Sequence, residues 1–156
     1  MSSGRFFYFG EYATIERRMP RKDAIHEAVC TALVKDGWLI TNDPFRIEYE
    51  DVDIYADLRV ERVEKSSTIR RALVIEIKGF TGPSPVHLLA SALGQYELYR
   101  TYLVANGMQE GLYLAISKET YDSLFSRLSF QIVVEQRRLG LLIIDIEAEE
   151  VVRWIN

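Results

Sequence analysis

The segment Val74-Ile75-Glu76-Ile77-Lys78 sets two charged side chains among β-branched ones. On a strand, side chains alternate between faces, so Glu76 and Lys78 project from the same face. A charged pair in the middle of an apolar strand is costly unless that face lines a polar cleft. Taken alone, Glu-x-Lys serves equally as an edge-strand ion pair, and 15 Glu with 5 Lys make chance matches common. The preceding segment adds weight. In Val52-Asp53-Ile54-Tyr55-Ala56-Asp57, Asp53 and Asp57 share one face while Ile54 and Ala56 take the other. With the intervening turn centred between Ser66 and Ser67, hairpin partners have numbers summing to 133, and position 57 faces position 76. Directly opposed residues hold their Cβ atoms ~4.5–5.5 Å apart. Two carboxylates at that distance repel unless a cation shares them, and a hard divalent cation selects oxygen ligands. Asp53 lies ~13 Å from Asp57 at ~3.3 Å per residue, too far for one ion to bind both. This register selects Asp57, and a bulge would select Asp53 instead.

A third element is Gln95 to Tyr99, on a stretch where Leu88, Ala92, Gln95, Tyr99 and Tyr102 follow one seam at helical spacing. A glutamine inside such a seam needs a polar partner. It is either a satisfied buried amide or a group held over the cleft to orient a carboxylate or touch a phosphate.

The elements that must position these residues follow from periodicity and punctuation. Lys22 to Lys35 carries Ile25, Ala28, Val29, Ala32 and Leu33 at helical spacing, and Gly37 supplies the stop. Trp38 to Ile40 and Phe45 to Tyr49 read as short strands around the Asn42-Asp43-Pro44 turn. Val52 to Val63 alternates as one long strand, with Lys65 to Thr68 as the turn before a strand at Ala72 to Lys78. Gly79 to Pro85 is an irregular loop, followed by a long helix from Val86 to about Asn106, closed by Gly107. Leu112 to Ile116, apolar throughout, fits a covered central strand. Helical character returns at Lys118 to Phe125 and again through Phe130 to Arg137. Leu139 to Ile146 and Val151 to Ile155 then finish as a hairpin. The order implies a single α/β domain, a mixed sheet with helices packed against it.

Composition bounds the function. The chain of 156 residues carries 23 acidic and 19 basic side chains, a formal net charge of −4. With 48% hydrophobic and 27% charged residues, it has the make-up of a folded globular protein rather than a disordered or repetitive one. The longest unbroken apolar run, Leu112 to Ile116, is far short of the ~20 residues a membrane helix needs. Cys30 is the one cysteine, and the first residues carry no signal-peptide pattern, so a reducing cytoplasm is the expected compartment. His26 and His87 stand far apart with no Cys/His ladder, which gives a structural zinc site no support from spacing. The pI of 5.3 argues against non-specific nucleic-acid binding. The cations are mostly Arg, 14 against 5 Lys, and arginine is the better bidentate phosphate ligand, so a local basic patch fits the composition.

Taken together, an Asp, then Glu-x-Lys on the next strand, then a helix carrying Gln-x-x-x-Tyr resemble the PD-(D/E)xK nuclease superfamily, in particular its RecB-type branch. That resemblance implies Asp57 and Glu76 as ligands of Mg²⁺, with Mn²⁺ as a substitute, aided by the carbonyl of Ile77. It implies Lys78 as the residue that positions or deprotonates the attacking water, and Gln95 as an orienting group. A helix residue completes such sites. Glu27 matches chemically, though it points away from the Ile25–Val29–Leu33 stripe, and His26 lies nearer the stripe's flank.

A second resemblance covers most of the chain from Met19 onward. Met19-Pro20-Arg21-Lys22-Asp23, His26-Glu27-Ala28-Val29, Lys35-Asp36-Gly37-Trp38 and Asp43-Pro44 look like the XisH family. So do Asp53-Ile54-Tyr55-Ala56-Asp57-Leu58, Glu76-Ile77-Lys78, Gly82-Pro83-Ser84, Ala92-Leu93-Gly94-Gln95-Tyr96 and Trp154-Ile155. The family is named for controlling excision of the fdxN element, alongside a partner family, XisI. The resemblance implies a restriction-endonuclease-like α/β fold over residues 19–156, DNA and an XisI-like protein as partners, and a role in DNA rearrangement, either as a nuclease or as a non-catalytic subunit. A homo-oligomer is compatible with it. Met1 to Arg18, with its aromatic Phe6 to Phe9, lies outside it. Translation starts at Met19, or this segment docks as an extra element.

Overall fold

The Leu58–Val63 and Arg70–Ile77 segments pair antiparallel, with Leu58 opposite Ile75, Val60 opposite Leu73 and Glu61 opposite Ala72. Each pair of numbers sums to 133, so the turn sits where the polar Lys65 to Thr68 run places it. The computed structural model describes residues 20–66 and 68–156, with side chains from residue 24 onward. The expectations about Phe6 to Phe9 and a docked first segment lie outside the described residues.

In chain order the elements are α1 (Pro20–Lys35), β1 (Leu39–Asn42), β2 (Phe45–Tyr49), β3 (Val52–Ala56), β4 (Leu58–Val63), β5 (Arg70–Ile77), α2 (Pro85–Ala105) and β6 (Gly111–Ser117). They continue with α3 (Lys118–Thr120), a π-helix (Tyr121–Phe125), α4 (Leu128–Arg137), β7 (Leu141–Asp145) and β8 (Glu150–Ile155). Six strands make one mixed sheet in the order β1-β4-β5-β6-β7-β8. The central pairs β5–β6 and β6–β7 are parallel, and the outer ones are antiparallel, including the closing β7–β8 hairpin. This is an α/β fold, as the order of elements implied.

One expectation needs correction. Val52 to Val63 is not one strand. It breaks at Asp57, and β3 pairs with β2 in a separate two-stranded sheet while β4 joins the main one. The two strands flanking Asn42-Asp43-Pro44 likewise belong to different sheets, β1 beside β4 and β2 beside β3. Lys118 to Phe125 is helical throughout, as expected, starting as an α-turn that widens into the π-helix.

The alternation of β5 sorts its side chains between two cores. Leu73 and Ile75 face α1, packing with Val29, Ala32, Leu33, Trp38, Leu58 and Val60. Val74 faces α2, packing with Ala92, Tyr96, Tyr99, Leu114 and Ile143. Glu76 shares the parity of Val74 and therefore points to the α2 side. Helix α2 starts cleanly because Ser84 caps it, accepting from the His87 amide, and Pro85 occupies its first turn. Tyr96 then ties α2 to the sheet: its buried hydroxyl donates to the Leu112 carbonyl at 2.8 Å and accepts the Gly140 amide at 2.9 Å. Gly140 is required there, since a Cβ would lie 2.5 Å from the Leu112 carbonyl oxygen. No helix among the described residues is long and apolar enough to cross a membrane.

Candidate functional site

Glu76 is the one buried charged residue among the described residues, at 5% exposure. It sits near the carboxyl end of β5, where the strand runs out into the Gly79–Pro85 loop. Lys78, on the same face and 28% exposed at its side chain, holds its Nζ 3.2 Å from Glu76 Oε2. The Lys78 amide still donates to the Ala115 carbonyl, so β6 fixes the backbone from which this lysine extends.

Asp57 occupies the break between β3 and β4, and the break is what aims it. Its Oδ2 accepts the Ile77 amide at 2.7 Å, closing the end of β5 with a side-chain bond where the ladder to β4 has ended. Its other oxygen has no hydrogen bond among the described residues. Asp57 and Glu76 are close enough for their charges to act on one another. Burial, then the neighbouring Asp57, pushes the Glu76 carboxyl up to about 7, while Lys78 and the Tyr99 hydroxyl hold it down only in part. The pair thus carries more negative charge than its protein surroundings neutralise.

Asp53 lies elsewhere. It stands on β3 opposite Glu48 and forms a two-point ion pair with Arg46, at 2.8 and 3.0 Å. That arginine holds the Asp53 carboxyl below its ordinary value. Asp53 is thus satisfied at the surface, and Asp57 is the aspartate beside Glu76.

Gln95 reaches the site through an intermediary that the sequence did not single out as a site residue. Its Nε2 donates to the Tyr99 hydroxyl at 2.6 Å, one helical turn along α2. Tyr99, 2% exposed, in turn donates to the Tyr55 carbonyl at 2.6 Å and lies close enough to Glu76 for the two groups to act on one another. Burial and the Glu76 charge both raise the Tyr99 hydroxyl's pKa, which keeps it a neutral donor. The i, i+4 spacing of Gln95 and Tyr99 was the available signal for this relay. Ile54, Tyr55, Gln95, Leu98 and Tyr99 line an open depression beside it.

Helix α1 brings its two candidates to different surroundings. Glu27 is exposed, in keeping with its position off the apolar stripe. His26 is half-buried, and its Nε2 lies 2.8 Å from Asp43 Oδ2 in the turn after β1. Cys30, one turn further on, is half-buried, and burial together with Asp43, Asp57 and Glu27 pushes its thiol up to about 11. Asp57 therefore adjoins both the Glu76–Lys78 pair and this α1 cluster.

The donor set at Asp57 and Glu76 is oxygen only, anionic and under-neutralised, which fits a hard divalent cation. Lys78 stands beside it, its amine 3.2 Å from Glu76 Oε2.

Residues 19–152 match the XisH protein family model. Two crystal structures have the same fold over their full lengths. One, of an XisH family protein from Nostoc punctiforme PCC 73102, is 32% identical, with a TM-score of 0.76, and the match covers 85% of this chain and 99% of that one. The other, of an fdxN element excision controlling factor protein from Anabaena variabilis, is also 32% identical, with a TM-score of 0.77 and coverage of 86% and 99%. No curated protein sequence matches the chain.

Proposed function

Because the chain belongs to the XisH family, we propose that it works in the excision of DNA elements as a metal-dependent nuclease of the PD-(D/E)xK type. The observation that carries this reading is the placing of Asp57, Glu76 and Lys78 at one point on the rim of the sheet. A generic α/β domain has no physical use for a buried carboxylate of raised proton affinity with a second one beside it.

Asp57 and Glu76 would hold Mg²⁺ or Mn²⁺, which supplies Lewis-acid stabilisation of phosphate charge and acidifies water. The chain's own residues do the rest. Ile77, through its amide, fixes the Asp57 carboxylate, and Gln95 and the Tyr55 carbonyl hold the Tyr99 hydroxyl beside Glu76. Lys78 Nζ, 3.2 Å from Glu76 Oε2, holds or takes the proton of an attacking water. DNA is the substrate in this reading, and an XisI-like protein is the partner that directs it. A cleavage assay with single-stranded, duplex and branched DNA, with Mg²⁺ or Mn²⁺ and an EDTA control, with and without the XisI-like partner, tests it. Cleavage that needs the metal supports the nuclease. Inertness on every substrate with the partner present assigns the chain a non-catalytic role in the excision complex.

The metal site can be checked without activity. Ligand binding to the folded form alone stabilises by about 1.4 kcal/mol at ten times Kd, roughly a 3–6 °C rise in melting temperature for a domain of this size. Wild type and Asp53→Asn are expected to show that Mg²⁺-dependent rise, and Asp57→Asn to lose it. Thermal melts in EDTA and in Mg²⁺ decide the matter. A rise retained in Asp57→Asn and lost in Asp53→Asn would overturn the ligand assignment.

A further inference from the structure

We propose that His26, Cys30 and Asp43 form a second cation site, for a transition metal of the zinc class, distinct from the Asp57–Glu76 pair. Among the described residues, these three are the group whose ligating atoms, one nitrogen, one sulfur and one oxygen, all lie within 4.8 Å of one another. The fold assembles them from two places. His26 and Cys30 are four apart on α1 and so share one helix face. Asp43 comes from the turn between β1 and β2, and its Oδ2 is already 2.8 Å from His26 Nε2.

The chemistry of the set selects the ion. Imidazole, thiolate and carboxylate are the donors of zinc sites, and a thiolate discriminates against magnesium and calcium. Tetrahedral zinc, with ligands at ~2.0–2.3 Å, spaces its donors roughly 3.5 Å apart. The present spread therefore closes by side-chain rotation, with the His26–Asp43 hydrogen bond exchanged for two metal bonds. Three protein ligands leave one tetrahedral position open, the coordination of a reactive or exchangeable zinc rather than a purely structural one. Charge favours a cation as well, since Asp43, Asp57 and Glu27 all act on Cys30. Sequence spacing gave no hint of the site, because its ligands are joined through the packing of α1 against the β1–β2 turn.

Cobalt(II) is the probe, because it takes zinc's coordination and a cobalt–thiolate bond absorbs in the near ultraviolet. The purified full chain, reduced and titrated with Co²⁺, is expected to develop thiolate-to-cobalt absorption that saturates at one equivalent and is displaced by Zn²⁺. Cys30→Ser should abolish that absorption, and Asp43→Asn should weaken Co²⁺ binding at least about ten-fold, in line with losing one ligand. Glu76→Gln, in the other site, should leave the absorption in place. Co²⁺ binding without thiolate absorption, or absorption that survives Cys30→Ser, overturns the proposal. Should Cys30→Ser fail to fold, by circular dichroism, the exposed Asp43→Asn decides: unchanged Co²⁺ affinity overturns the site. None of these readouts depends on DNA cleavage.

Discussion

Lys78→Ala is expected to lower metal-dependent DNA cleavage by about 100- to 10,000-fold, the range over which positioned proton transfer contributes. The amine lies 3.2 Å from Glu76 Oε2, at the carboxyl end of β5, and its side chain is 28% exposed. Truncating it therefore removes little core packing. It does remove a cation beside a buried carboxylate, and Glu76 then takes up a proton more readily. The variant should accordingly keep a wild-type melting temperature at pH 6 and lose some stability only at higher pH. Lys78→Arg keeps the charge but cannot give up a proton at neutral pH, so it should melt like wild type and remain inactive. Rates measured on a substrate that wild type cleaves settle the point. Retention of more than a tenth of the wild-type rate in Lys78→Ala would remove the lysine from the mechanism.

The second large effect is on stability. Glu76 has a folded-state pKa of about 7 against an ordinary value of 4.5, raised chiefly by burial and then by Asp57. A carboxyl whose pKa is raised by folding binds its proton more tightly in the folded state. Stability from this group is therefore full below about pH 4.5 and is lost as pH climbs through 7. The difference of 7 − 4.5 corresponds to a penalty of up to about 3 kcal/mol at pH 8 without metal. Glu76→Gln removes the charge and keeps the shape. In EDTA at pH 8 it should melt roughly 6–12 °C above wild type, taking ~2–4 °C per kcal/mol. At pH 5 the gap should nearly close. In Mg²⁺ wild type should recover much of the difference, whereas the variant should not respond. A gap between the two proteins that is the same at pH 5 and pH 8 would show that Glu76 is not the source of the penalty.

The parts of this site that the sequence revealed are those that depend on local alternation and one turn. Glu76 and Lys78 share a face because a strand has a period of two. The polar run at Lys65 to Thr68 located the turn, and hence the register opposite β5. The break at Asp57 was invisible for a specific reason. Ala56, Leu58 and Val60 are all buried with the spacing of one uninterrupted strand. Yet Ala56 packs in the α2 core and Leu58 in the α1 core, on opposite sides of the sheet. Periodicity records that a residue is buried and says nothing of which core receives it. The π-helix at Tyr121–Phe125 was hidden in a similar way, because its wider turn leaves no distinct pattern over five residues. Tyr99 was visible on its seam, but its contacts with Tyr55 and Glu76 arise only once β3 leaves the main sheet.

Asp57 serves as a charged ligand candidate and also as the hydrogen-bond acceptor that finishes the end of β5. That double duty shapes how descendants of this gene can decay. On the proposed nuclease reading, a lineage that abandons catalysis can drift freely at Lys78, whose loss disturbs mainly a charge balance. At Asp57 it retains a reason to keep an acceptor, since an aliphatic replacement would strand the Ile77 amide at the sheet's rim. Inactive copies should therefore lose the lysine first and settle on asparagine at the aspartate. A set of lysine-less relatives with alanine or valine at that position would show that selection never felt the second duty.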